Sequence, residues 1–179
     1  MLLRQVDDFA FAVPAEAIAK SLMANIDNHL RIRIKYLRIL TMFNGMDVSQ
    51  SQYYLKIHCT THLTRIVHTH QWTEHSQTPH PIPYPADNVY TKNLDIATPP
   101  NNEKEQQQLR QQHGIHYRQV IGELIWPMVK CRLDISFHTM KLSQFMANPA
   151  SAHYQDLRQL GSSIAKTLDL GTYYWRDEP

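Results

Sequence analysis

The first thirteen residues, Met1-Leu-Leu-Arg-Gln-Val-Asp-Asp-Phe-Ala-Phe-Ala-Val13, decide how the chain begins to fold. Two short apolar arms, Met1 to Leu3 and Phe9 to Val13, flank the adjacent carboxylates Asp7 and Asp8. The arms have the length and the β-branched or aromatic content of strands. The stretch therefore predicts a β-hairpin that carries the acidic pair at its tip.

Adjacent carboxylates at a tight turn repel each other, and a hard divalent cation removes that repulsion. Mg²⁺ is such a cation, and proteins hold it with one or two carboxylates while phosphates and water complete its octahedron. The alternative is an ordinary turn, in which aspartate side chains hydrogen-bond to the backbone. Asp7 and Asp8 are therefore candidate metal ligands.

Composition places the chain among globular proteins without dictating a partner. Its 179 residues fit one domain or two small lobes, and 42% of them are hydrophobic and 19% charged. The net charge of +2 permits contact with nucleic acid but does not argue for it. No apolar run reaches the roughly eighteen residues of a membrane span, and the charges of Arg4, Asp7 and Asp8 do not suit a signal-peptide h-region, so we expect neither feature.

The two cysteines, Cys59 and Cys131, lie far apart in the sequence. A disulfide between them is allowed, but nothing indicates a secreted scaffold that cysteines hold together. The sequence favours reduced thiols in an intracellular protein.

The first seventy residues mix strand and helix patterns. Apolar residues at helical spacing predict a helix from about Ala15 to His29. Tyr53 to His58 alternates as a strand, and the polar run before it would fold Thr41–Ser49 back as a second hairpin. Thr60 or Thr61 then caps a helix that runs through His70.

The rest of the chain predicts a linker and three helices. Residues 71–114 are rich in proline and glutamine and have no usable period, which predicts an extended or disordered linker. The first helix has an apolar stripe that Pro127 ends or kinks, and the second runs from about Leu133 to Met146. The third begins near Pro149, and Gly171 ends it as a left-handed cap before a final strand starts. The predicted class is α+β.

Three motifs, in order and at matching separations, resemble the C-terminal part of a copia-type retrotransposon reverse transcriptase. They are Leu3-Arg-Gln-Val-Asp-Asp-Phe9; Gly45-Met-Asp-Val48 with the Tyr53–His58 strand and Leu63-Thr-Arg-Ile-Val67; and Tyr117-Arg-Gln-Val-Ile-Gly-Glu-Leu124 with Arg132-Leu-Asp-Ile135, Leu142-Ser-Gln-Phe-Met146, Asn148-Pro149, His153, Lys166-Thr167 and Gly171. Together they cover nearly the whole chain outside the proline-rich linker.

The resemblance implies a division of the chain. Residues 1–70 would be a partial polymerase palm (hairpin, helix, hairpin) with the start of the thumb, and 71–114 the linker. Residues 115–171 would be a helical connection region, and 172–179 the start of a truncated ribonuclease H strand.

The resemblance also implies the chemistry of an RNA-directed DNA polymerase, in which Mg²⁺ activates the primer hydroxyl and neutralises the triphosphate. Asp7 would be the principal catalytic metal ligand and Asp8 its partner. The family's third aspartate and its fingers match nothing here, and Asp27 and Asp47 do not resemble that aspartate in context. We therefore expect weak Mg²⁺ binding and no activity from the chain alone.

The implied partners are a template–primer of RNA or DNA and an upstream polymerase segment or another Pol copy, without a membrane. Analogy would place the chain in the cytoplasm or in particles.

Four departures from the family pattern are Gln5, Arg38, Leu133 and Gly161-Ser-Ser163, the last of which would weaken a helix. Such changes are consistent with a decaying copy.

Other residues offer weaker signals. His58, Cys59 and His62, with His68 and His70, have zinc-ligand chemistry but no recognised spacing, so solvated histidines are the favoured interpretation. One basic set could follow a nucleic-acid backbone or be ordinary surface: Arg4, Lys35, Arg38, Lys56 and Arg65. A second set flanks the first C-terminal helix, in the region that by resemblance would support the template–primer duplex: Arg110, Arg118, Lys130 and Arg132. Two alternatives to the polymerase fragment stay open, a degenerate remnant that binds nucleic acid or a partner without catalysis, and an unrelated structural domain.

Overall fold

The computed structural model describes residues 2–5, 8–30, 35, 39–72 and 88–176. Within this part the chain is α+β, as predicted. The strands are β1 (Leu2–Gln5), β2 (Asp8–Phe11), β3 (Met42–Phe43), β4 (Met46–Gln50), β5 (Tyr54–His58) and β6 (Gly171–Trp175). The helices are α1 (Glu16–Leu30), α2 (Thr60–Thr69), α3 (Asn88–Ile96), α4 (Glu103–His113), α5 (Tyr117–Lys130), α6 (Ser136–Ser143) and α7 (Ser151–Lys166). None of the described helices is long and apolar enough to cross a membrane.

The predicted N-terminal hairpin is confirmed. Strands β1 and β2 pair antiparallel, with Leu2 opposite Phe11 and Gln5 opposite Asp8. Asp8 is thus the first residue of the second strand, whereas the prediction placed it at the tip and began the second arm at Phe9. Asp7 lies outside the described residues.

The second sheet has four antiparallel strands in the order β3-β4-β5-β6. The predicted hairpin of β4 and β5 is confirmed, with Val48 opposite Ile57. A further hairpin joins β3 to β4 through Asn44 and Gly45, whose φ angles are 51° and 75°. Both values are left-handed, as the tight turns that Asn-Gly favours require.

Strand β6 corrects one expectation about the end of the chain. Gly171 is not a left-handed helix cap, because it begins β6 and pairs with His58 of β5. The final strand predicted after it is present and lies at the edge of the second sheet, with Tyr54 opposite Trp175. A side chain at Gly171 would lie 2.5 Å from the carbonyl oxygen of Ile57, so the close strand pairing requires glycine.

The main core lies among α2, α5, α6 and α7. These helices and their connections contribute side chains with almost no exposed surface: Cys59, Leu63, Ile66, Trp72, Val120, Ile121, Leu124, Ile135, Leu142, Tyr154, Leu157, Leu160 and Ile164. Helix α1 contributes less, because Ile18 and Leu22 of its predicted apolar stripe remain exposed. Pro127 does not end α5, which continues to Lys130.

The predicted linker was wrong for residues 88–96 and 103–113, which form α3 and α4. Helix α4 has almost no apolar periodicity, so the residues at its two ends determine where it forms. Asn102 accepts a hydrogen bond from the backbone N–H of Glu105, and the Glu105 carboxylate accepts one from the N–H of Asn101. Gly114, with φ of 62°, ends the helix in the left-handed conformation.

The cysteines also differ from prediction. Cys59 directly precedes α2, Cys131 directly follows α5, and their sulfur atoms form a disulfide. The two residues are far apart in sequence, and the packing of α2 against α5 brings them together. The expectation of two reduced thiols was therefore wrong.

Candidate functional site

The structure fixes the backbone around the predicted metal ligands but not their side chains. Asp8 begins β2, while Asp7 and the Asp8 side chain lie outside what is described. Opposite residues of the same hairpin bring the Arg4 guanidinium over the Phe9 ring, 5.9 Å from its centroid. The described part of the hairpin therefore carries one cation, stacked on Phe9 next to Asp8 in the sequence.

Among the described residues of the first predicted basic set, Lys56 and Arg65 have different surroundings. Lys56 is buried, with its ammonium 3.9 Å from the Asp169 carboxylate and 5.2 Å from the centre of the Tyr173 ring. Arg65 is exposed on α2 and contacts His62. Arg38 lies outside the described residues.

The members of the second basic set have different surroundings: Arg110 and Arg118 line a cleft, Arg132 is buried and Lys130 is exposed outside the cleft. Arg110 of α4 and Arg118 of α5 line one cleft of about 600 Å³. The complete lining, which we call the basic cleft, is Gln106, Arg110, His116, Tyr117, Arg118, Gln119, Met146, Ala147, Pro149 and Tyr154. No carboxylate is among these lining residues.

Arg132, by contrast, is a structural residue. Only 1% of its surface is exposed, and its guanidinium donates two hydrogen bonds of 2.8 Å to the Asp134 carboxylate. It also donates to the carbonyl and hydroxyl oxygens of Thr167. These bonds tie the end of α5 to the end of α7, so the Arg132 guanidinium is engaged within the protein.

Two tyrosines form the wall of the basic cleft and remain neutral. The Tyr117 hydroxyl donates to the carbonyl of Leu142 at 2.9 Å, and burial raises the pKa of Tyr117 well above its usual range. Burial also raises the pKa of Tyr154, which hydrogen-bonds Arg110. The wall therefore adds no negative charge that would offset the arginines.

Two of the candidate zinc ligands, His58 and Cys59, make structural contacts. Cys59 is in the disulfide, so it offers no thiolate. The His58 ring lies between two hydroxyls, with Nδ1 2.7 Å from Thr60 Oγ1 and Nε2 2.9 Å from Ser49 Oγ. Burial lowers the pKa of His58 despite the nearby Asp47 carboxylate.

The histidines of α2 pack against α5. His70 Nε2 lies 2.8 Å from Glu123 Oε2, and His62 Nε2 lies 3.1 Å from the Glu123 carbonyl oxygen. The interpretation as solvated histidines was therefore wrong for His58, His62 and His70, while His68 is exposed. Among the described residues no group of three ligating side chains is placed to hold a metal ion.

Two buried carboxylates were not singled out as site residues by the sequence. Asp47 accepts hydrogen bonds of 2.8 Å from the backbone N–H and the hydroxyl of Thr61, which caps the start of α2 from β4. Asp156 lies 2.8 Å from His138 Nε2 inside the helical core, and burial raises its pKa to about 7. Asp47 occupies a polar position in a strand pattern, and Asp156 occupies one in a helix pattern. Neither pattern indicates which residue the carboxylate will contact.

Comparison of the chain with protein-family models, with curated proteins and with solved structures gave no match.

Proposed function

We propose that this chain is part of an RNA-directed DNA polymerase of a copia-type retrotransposon. In this proposal the N-terminal elements belong to the palm, and the helices from α5 onward form a thumb or connection region. The observation that supports it most directly is the β1–β2 hairpin, whose register leaves Val6 and Asp7 between its strands and starts the second strand at Asp8. This is the position that the resemblance assigns to the acidic box.

The donor set fits the proposed metal. Asp7 and Asp8 offer carboxylate oxygens, the ligands that Mg²⁺ prefers, and Asp8 begins a strand that pairs with β1. When bound, Mg²⁺ would stabilise the charge that develops during nucleotidyl transfer. The residues' own role is to hold the cation at a fixed place at the end of the hairpin.

A second candidate function is a remnant that binds nucleic acid or a partner without catalysis. Among the described residues, β1 and β2 form a two-stranded sheet by themselves. Two-stranded hairpins are marginally stable in water, and a two-metal site requires carboxylates that are held rigidly. The separate hairpin therefore favours weak metal binding and no activity from the chain alone.

Metal binding separates the proposed function from an ordinary acidic turn. We expect Mn²⁺, used as a paramagnetic substitute for Mg²⁺, to bind weakly to the intact chain, with affinity lost in Asp7→Asn and in Asp8→Asn. Asp169→Asn is the control, because this carboxylate is 86% exposed and lies far along the chain from the hairpin. The measurement is water-proton relaxation during a Mn²⁺ titration. Equal binding by all four proteins would contradict the assignment of Asp7 and Asp8.

A further inference from the structure

We propose that the basic cleft binds the phosphate group of a nucleotide unit, supplied either by a free nucleotide or by a nucleic-acid strand. The cleft lies between α4, the start of α5 and the start of α7. The proposal does not rest on the polymerase function, because it requires neither Asp7 nor Asp8.

The charge of the cleft favours an anion. Arg110 and Arg118 are exposed, reach it from two different helices, and are joined there by His116. A guanidinium presents a planar set of N–H donors that matches two phosphate oxygens at once. Since no carboxylate lines the cleft, the arginines have no anionic partner among its lining residues.

The backbone at the start of α5 adds donors of the same kind. Residues Tyr117, Arg118 and Gln119 form the first turn of this helix of 14 residues and line the cleft. His116, at the N-cap, makes no side-chain capping hydrogen bond. First-turn N–H groups have no partner within a helix, and they carry the positive end of its dipole. They strengthen the attraction for phosphate that the two arginines establish.

The size and the uncharged wall of the cleft indicate more than a bare phosphate. About 600 Å³ is in the range of sites for small organic ligands. Met146 and Ala147 provide partly exposed apolar surface beside the cationic side, while Tyr117 and Tyr154 are buried and pack against each other. This apolar surface suits the sugar or base next to the phosphate.

The test uses the whole chain and a fluorescein-labelled oligothymidylate of twelve nucleotides, with binding measured by fluorescence anisotropy. Sodium pyrophosphate and dTMP serve as unlabelled competitors. Their effect shows whether a free phosphate compound is enough to occupy the cleft or whether a strand is needed. The variants are Arg110→Gln and Arg118→Gln. The controls are Lys104→Gln on α4 and Lys130→Gln on α5, which remove the same charge from the same helices outside the cleft.

We expect each arginine variant to weaken binding at least about tenfold, because a charge-assisted hydrogen bond to phosphate is lost. The slope of log affinity against log salt should fall by about one for each arginine removed. Each control should stay within about twofold of the original affinity. Competition by dTMP would identify a free nucleotide as sufficient, and competition only by unlabelled strand would identify the strand. Equal losses in arginine and lysine variants, or no binding by the folded chain, would overturn the proposal.

Discussion

Reduction of the Cys59–Cys131 disulfide is expected to lower the free energy of unfolding by about 4 kcal/mol. The bond joins residues separated by 72 positions, so it removes a large loop-closure entropy from the unfolded chain. It also ties the start of α2 to the end of α5, the two helices whose packing buries Leu63 and Leu124. The measurement is urea unfolding, followed by circular dichroism, with and without dithiothreitol.

A Cys59→Ala/Cys131→Ala double variant is the matched control for the reductant. It should be less stable than the oxidised chain and should show the same midpoint with and without dithiothreitol. Quantification of free thiols in the unreduced, urea-unfolded chain should find none. A thiol count of two, or a midpoint of the original chain that dithiothreitol leaves unchanged, would show that the bond does not form.

Gly161→Ala is expected to destabilise the chain by about 1 to 3 kcal/mol, although alanine is the better helix former. A Cβ atom at position 161 would lie 2.2 to 2.7 Å from three carbon atoms of the Trp72 ring. Trp72 is itself 2% exposed, so the indole cannot move aside without disturbing the core around it. The overpacking should exceed the roughly 1 kcal/mol that helix propensity supplies.

Gly122→Ala provides the comparison, because it also lies inside a helix. Gly122 is exposed on α5, and an added Cβ would meet no atom within 4 Å. This substitution should raise the free energy of unfolding by up to about 1 kcal/mol. A Trp72→Ala background should remove most of the penalty of Gly161→Ala. Equal effects of the two glycine substitutions in urea unfolding would contradict the proposed contact.

The role of Gly161 differs from the one that the sequence suggested. Gly161 was interpreted as a weakness in a helix, which followed from propensity alone. Helix α7 nevertheless runs without interruption from Ser151 to Lys166, and Gly161 lies against Trp72. Since Trp72 belongs to a different element, only the packing of the two shows why a residue without Cβ is required there.

Local patterns predicted those elements whose signals lie within a few residues. Alternation in Tyr54–His58 and helical spacing in Tyr117–Lys130 both correspond to observed elements. The hairpin of β3 and β4 could have been predicted from Asn44-Gly45, and α4 from Asn102 and its partner Glu105, had turn and cap chemistry been weighed above apolar periodicity.

Pairings between residues far apart in the sequence could not be predicted from such local patterns. Nothing in the spacing of Cys59 and Cys131 predicts the disulfide, and nothing local aligns Gly171 with His58. The basic cleft was also not predictable from local patterns, because its lining combines residues of α4 and α5 with Met146, Ala147, Pro149 and Tyr154. Of the candidate sites, the acidic pair rests on sequence resemblance, and the cleft rests on the tertiary structure.

Templated primer extension with Mg²⁺ tests the proposed polymerase origin most directly. It would compare this chain with a version joined to an upstream palm and fingers segment, each with Asp7→Asn and Asp8→Asn variants. The account predicts no extension by the chain alone, extension by the joined version, and loss of that activity in both variants. Extension by the chain alone would contradict the requirement for further palm ligands. Undiminished extension by the joined Asp7→Asn and Asp8→Asn variants would contradict the assignment of the acidic pair as its catalytic metal ligands.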